Sequence, residues 1–230
     1  MSENDHEASH DEAEVARRHD GLVARLQAVR DRMAACGGSG VALLPVSKGH
    51  RVEAAIAARR MGLDQLGENY AQELAAKAPV VAGAAARVGW HFIGQLQSNK
   101  VRMIADDVHT WQSVDRLKVG KEIAKRAPGA RIFAQVNLSE ESQKAGCSFE
   151  DIDDLVRALR ELDLDVAGLM GVGAAADQDA TAAGFARLRA AVDRLDLIEC
   201  SMGMTADLEL AIREGSTMVR VGSDLFGPRE

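Results

Sequence analysis

The sequence predicts a single (β/α)8 TIM barrel, eight parallel strands closed into a cylinder with helices outside. Three observations carry that expectation. Eight short apolar runs alternate with amphipathic, alanine-rich stretches of helical period, the pattern of right-handed βαβ units around a parallel sheet. The length, 230 residues, is near the roughly 250 such a barrel commonly needs. Each apolar run ends in polar residues or glycine, which is unusual for a purely structural rim. An open doubly wound sheet is the alternative and would not need eight strands. No internal repeat and no second domain is visible.

The elements follow in order. Residues 1–13 lack apolar periodicity and form an acidic tail expected to be disordered, so the barrel domain is 14–230. A helix over 15–35 precedes strand 41–47, which ends at Lys48. Helix 51–61 leads to strand 63–67 and the polar end Gly67-Glu68-Asn69-Tyr70. Helix 69–77 leads to strand 90–94, closed by Gly94-Gln95 and then Ser98-Asn99-Lys100. Helix 97–105 precedes strand 108–112, ending at Gln112-Ser113, and helix 115–126 precedes strand 131–137, ending at Asn137 before a loop bearing Lys144. Helix 149–162 precedes strand 165–170, ending at Met170-Gly171. Helix 179–195 precedes strand 196–201, ending at Ser201-Met202-Gly203. Helix 205–213 precedes strand 218–222, ending at Gly222-Ser223. Ser113, Ser148 and Thr205 stand where hydroxyls can cap helix starts, and Ser148 to Asp151 resembles a capping box. No long helix follows the last strand, so helix 15–35 is expected to cover that gap.

Composition narrows the function classes. Seven acids in the first twenty residues face only Arg17 and Arg18, so most of the net charge of −7 sits there. The body is nearly neutral, and aromatics make up 3%, so no nucleic-acid surface is expected. No apolar run approaches the ~20 residues of a membrane span, and the N-terminus lacks the pattern of a secretory signal. Cys36, Cys147 and Cys200 have no repeated spacing and read as reduced thiols of a cytoplasmic protein. His6, His10 and His19 lie in or beside the tail, and His91 with His109 makes no metal pattern; no metal site is expected.

Chemistry in a barrel gathers at the C-terminal strand ends. Lys48 surfaces there from an apolar strand, and a desolvated lysine loses its proton more readily and becomes a nucleophile toward aldehydes. Ser201-Met202-Gly203 and Gly222-Ser223 end the last two strands, where barrel phosphate sites often form. Ser201, Ser223 and the N–H groups around Gly222 are donors for a phosphate cup. Strand eight closes beside strand one, so amine and cup are expected in one pocket, which is what pyridoxal 5′-phosphate (PLP) requires. Arg220, two residues before Gly222, would face the ring nitrogen and keep it unprotonated. Met202 and Met204 shape the pocket or fill space.

These residues resemble a known family. Val46-Ser47-Lys48, Gly67-Glu68-Asn69-Tyr70, His91 to Lys100, Gly168-Leu169-Met170, Ser201-Met202-Gly203-Met204 with Asp207 and Glu209, and Val219 to Ser223 with Phe226-Gly227 are similar to the pyridoxal phosphate homeostasis proteins, the YggS/PROSC family. The resemblance runs from about residue 15 to the end. It implies a barrel like the N-terminal one of alanine racemase and a role in vitamin B6 homeostasis, as a carrier or buffer without turnover. It implies PLP held as an internal aldimine, a Schiff base, on Lys48, with Asn69 beside the ring and Met202 in the binding set. Ser201, Gly222 and Ser223 would hold the phosphate, with Arg220 at the pyridine nitrogen. Lys144 matches a lysine with a secondary part in handling PLP. PLP-dependent apoenzymes are the partners implied, and a lone barrel is expected to be monomeric. One departure is Gly49-His50, where relatives often have lysine two positions after the Schiff-base lysine.

Two other readings stand beside this one. A PLP-dependent racemase would need a second acid–base group, and the chain has one tyrosine, Tyr70, and no second domain. A PLP-free aldolase would use Lys48 alone.

Overall fold

The computed structural model describes residues 10–139, 145–174 and 177–229. All eight expected strands are present: β1 (Ala42–Pro45), β2 (Gln65–Glu68), β3 (Gly89–Phe92), β4 (Val108–Val114), β5 (Arg131–Val136), β6 (Asp165–Gly171), β7 (Glu199–Ser201) and β8 (Met218–Val221). They pair in parallel in the order β1-β8-β7-β6-β5-β4-β3-β2. A parallel bridge between Val46 and Gly67, with Ser47 N–H donating to the Gly67 carbonyl at 3.0 Å, closes the cylinder.

That last seam is short for a reason in the sequence. Ala42 N–H donates to Thr217, just before β8, and Val46 N–H to Val221 at its end, so the N–H of residue 45 would point to β2. Residue 45 is proline, which has none to give.

Around the barrel run α1 (Glu12–Ala35), α2 (Val52–Arg60), α3 (Ala71–Ala84), α4 (Ser98–Ile104), α5 (Leu117–Arg126), α6 (Ile152–Arg160), α7 (Gln178–Arg194), α8 (Leu208–Arg213) and the single turn α9 (Ser223–Phe226). As expected, α1 packs against α2, α8 and α9 and so fills the place of a full helix after β8. Its buried stripe is Val15, Leu22, Leu26, Val29 and Met33. It starts at Glu12, inside the segment read as tail, because Asp11 caps the N–H groups of Ala13 and Glu14 at 2.9 and 3.3 Å. Arg32 ties α1 to Glu209 of α8 and Asp224 of α9.

Helix α3 runs on to Ala84, through Pro79, where the sequence suggested an end near 77. Burial of Leu74, Ala78 and Val81 on one face outweighs the lost hydrogen bond. Ser148 does accept from Asp151 N–H at 3.1 Å, but Ser113 lies inside β4, and α8 is led in by Asp207 rather than Thr205.

Two apolar regions build the fold. The larger lies between strands and helices. A smaller one comprises Leu44, Phe133, Ala167, Met170 and Met218, with Leu44 level with Arg220 and Met170 level with Ser201 across the strand pairs.

Candidate functional site

A cavity of about 520 Å³ opens at the C-terminal rim, and Lys48, Arg220, Gly222 and Ser223 all line it. The register explains why. Pro45 of β1 pairs with Val221 of β8, so the residues following both strands emerge at one end of the barrel.

Lys48 is half-buried, and no hydrogen bond holds its amine among the described residues. Desolvation is the main reason its pKa falls below the usual lysine value, and Arg229 and Arg220 push the same way against Glu68. The free-base amine is therefore more populated than on a solvated lysine.

Arg220 is buried at 4% exposure. Its Nη1 donates to the carbonyl and the hydroxyl of Ser201, both at 2.8 Å, and Nη2 donates to the Gly171 carbonyl at 2.8 Å. Burial lowers its pKa to about 10, so it remains a cation at neutral pH.

The polar chain continues inward. Ser201 Oγ donates to Gln112 Oε1 at 2.7 Å, and the Gln112 amide nitrogen meets His91 Nδ1 at 2.6 Å. The amide can only donate, so His91 accepts at Nδ1 and carries its proton on Nε2. Burial lowers the His91 pKa to about 3 and keeps the ring neutral.

Not every residue expected in the cup lies on the cavity wall. Ser201 is fully buried, absent from the cavity wall, and spends its proton on Gln112, so it supports Arg220 instead of offering a donor to the cavity. Met202 is also fully buried away from the cavity, with its sulfur 3.7 Å from Cys200 Sγ. Asn69 does not line the cavity either; its backbone packs under Gly94, where an added Cβ would lie 2.0 Å from the Asn69 carbonyl oxygen. Lys144 lies outside the described residues.

Other residues complete the wall. Thr205 brings its hydroxyl within 3.4 Å of Ser223 Oγ, so two hydroxyls face the cavity beside Gly222. Gly222 lies against β1: a Cβ there would approach the Val46 carbonyl to 3.2 Å. Met204, Ile93 and Val46 add apolar surface. His50 is buried against Phe226, with a ring separation of 5.5 Å, and Arg229 packs across Gly49 at the mouth. Thr205 was legible as a hydroxyl in the strand-seven loop, but Arg229 carried no signal beyond its charge.

Comparison with known proteins follows the same lines. Residues 11–230 match the family model described as alanine racemase, N-terminal domain. The chain is 42% identical over 198 residues to the pyridoxal phosphate homeostasis protein of Pseudomonas aeruginosa, covering 83% of this chain and 85% of that one. The protein of the same name from Escherichia coli is 35% identical over 225 residues, covering 89% and 95%. PipY of Synechococcus elongatus, solved with PLP bound, superposes with a TM-score of 0.79 at 30% identity over 90% of this chain and all of that one. An alanine racemase of Clostridium difficile shares the fold, with a TM-score of 0.74 at 17% identity over 91% of this chain and 57% of that one. The chain belongs to the alanine racemase N-terminal domain family and, within it, to the pyridoxal phosphate homeostasis proteins.

Proposed function

We propose that this chain binds PLP at the barrel rim through Lys48 and serves vitamin B6 homeostasis as a carrier or buffer without turnover. The carrying observation is that a desolvated amine, a buried guanidinium and two cup hydroxyls line one cavity. PLP supplies an aldehyde carbon, a pyridine ring and a phosphate, and the wall has a group suited to each. The Lys48 amine adds to the aldehyde with loss of water. Gly222, Ser223 and Thr205 hold the phosphate. Arg220 faces the ring nitrogen, and Ser201 fixes its guanidinium there. Met204, Ile93 and Val46 flank the ring, while Asn69 and Met202 support the wall from behind it.

Two features support binding over racemisation. Arg220 stays charged at neutral pH, so it withholds a proton from the ring nitrogen and weakens the cofactor's electron sink. Tyr70, the single tyrosine, is 52% exposed and does not line the cavity, so it offers no second base opposite Lys48.

Transfer to PLP-dependent apoenzymes, a cytoplasmic monomer and a secondary handling role for Lys144 belong to this reading. Free Cys36, Cys147 and Cys200 fit a reducing compartment. No helix among the described residues is long and apolar enough to cross a membrane. The test is the visible absorbance of purified protein mixed with PLP. A band present in the native chain and lost in Lys48→Ala supports the reading. Amino-acid turnover by the loaded protein would overturn the absence of catalysis, and a colourless native protein would overturn PLP attachment.

A further inference from the structure

Beneath Lys48 lies a charged cluster that does not touch the cavity. Lys77, on α3, is 6% exposed. Its Nζ donates to Glu68 Oε1 at 2.7 Å, to the Ser47 carbonyl at 2.9 Å and to Glu73 Oε2 at 3.1 Å. All its donors are thereby engaged.

Each acceptor bears on the turn that presents Lys48. The Ser47 hydroxyl donates to Glu68 Oε1 at 2.7 Å. Gly49 N–H donates to Glu73 Oε2 at 2.9 Å. His50 N–H closes the turn onto the Ser47 carbonyl at 3.2 Å, the same oxygen that receives Lys77. Gly49 takes φ +71°, a conformation that side chains other than glycine rarely adopt. The residues before and after Lys48 are thus both anchored to one buried ammonium and its two carboxylates, while Lys48 projects into the cavity.

Sequence and cost point the same way. Glu73 and Lys77 are one helical turn apart, and Glu68 ends β2, so strand and helix converge on Ser47. A buried cluster of this kind is poor value for stability alone, because desolvation offsets its attraction. Its return is geometric.

We propose that Lys77 is a positioning residue that locks the Ser47–His50 turn and thereby aims the Lys48 amine. Its consequence for cofactor capture rests on the PLP reading; the locking itself does not. Lys77 acts on the rate at which the Lys48 nitrogen adds to an aldehyde and releases water, not on phosphate binding.

The experiment compares native protein with Lys77→Met and Glu73→Ala. Amide exchange of apo-protein reads the lock without cofactor. Gly49 exchanges about tenfold faster in Glu73→Ala, which removes its acceptor, and Gly49 and His50 both exchange faster in Lys77→Met, which releases the Glu73 carboxylate and the Ser47 carbonyl that accept from them. Covalent attachment of PLP to Lys48 slows by about tenfold in Lys77→Met, while affinity for pyridoxine 5′-phosphate, which has no aldehyde, stays within about twofold. Lys77→Arg restores part of the rate. Equal loss of analogue binding and attachment would show mere damage to the fold and overturn the proposal, as would unchanged exchange at Gly49 and His50. Should Lys77→Met fail to fold, Lys77→Gln decides by the same readouts, since it keeps a donor beside the Ser47 carbonyl but loses the charge shared by Glu68 and Glu73. Native protein that captures no PLP, yet loses its turn protection in the variants, would sink the cofactor reading and leave the lock standing.

Discussion

Pro45 stands opposite Val221 across the seam between β1 and β8. From that pairing the two segments leave the barrel together, one toward Lys48 and the other toward Gly222 and Ser223. The pocket is therefore a consequence of barrel closure in this register. A one-residue slip of β1 would turn every side chain of that strand to the other face.

In the proposed site Ser223 and Thr205, which line the cavity, act as the cup hydroxyls, and Ser201 acts behind them through Arg220. Ser223→Ala and Thr205→Ala each lower affinity for pyridoxine 5′-phosphate about threefold to tenfold, near 1 kcal/mol per hydrogen bond, with little change in stability. Isothermal titration checks this. An unchanged affinity in both variants would move the phosphate elsewhere.

Ser201→Ala behaves in the opposite way. It removes an acceptor from buried Arg220 and strands Gln112 Oε1, so unfolding free energy falls by about 1–3 kcal/mol. Affinity for the phosphate ester changes less than in Ser223→Ala. Urea unfolding alongside titration separates the two roles.

His91 makes stability pH-dependent. Above pH 6.5 the ring is neutral folded or unfolded. Below 6.5 the unfolded chain takes up a proton that the folded chain refuses until about pH 3. Stability is therefore lost as pH falls through that window, by up to about 1.4 kcal/mol per pH unit from this group. In His91→Leu the slope between pH 6.5 and 5 flattens. A slope equal to that of the native chain would show that the ring protonates in place.

Gly94 is committed by its neighbour. In Gly94→Ala the new methyl would lie 2.0 Å from the Asn69 carbonyl oxygen, inside contact distance to rigid backbone. We expect a loss of about 3 kcal/mol or more, or insoluble protein. Thermal unfolding reads it, and a variant as stable as the native chain would contradict the packing at this turn.

Much of this was legible from the residues. The eight strands follow from apolar runs with polar ends, and Lys48, Arg220, Gly222 and Ser223 fall where closure puts them. Which way a side chain faces at a strand end was harder to see. Ser201 and Met202 follow one another at the end of β7, yet both are buried, because Ser201 turns inward to Arg220 while Met202 packs behind the wall. Asn69 was placed by motif alone, and its backbone contact with Gly94 depends on two loops that no periodicity links. Thr205 reads as a cap, but Asp207 takes that place and frees the hydroxyl for the cavity. Lys77 carries no signal in the sequence beyond its place on a helix, since its partners come from the turn after β1, from β2 and from α3 and meet only in three dimensions.

Peptide mapping after borohydride reduction of the protein with PLP reads the attachment site itself. The reduced adduct should fall on the peptide containing Lys48 and vanish in Lys48→Ala. An adduct on Lys77, Lys100 or Lys144 instead, with Lys48 unmodified, would contradict a pocket shared by the β1 amine and the β8 cup.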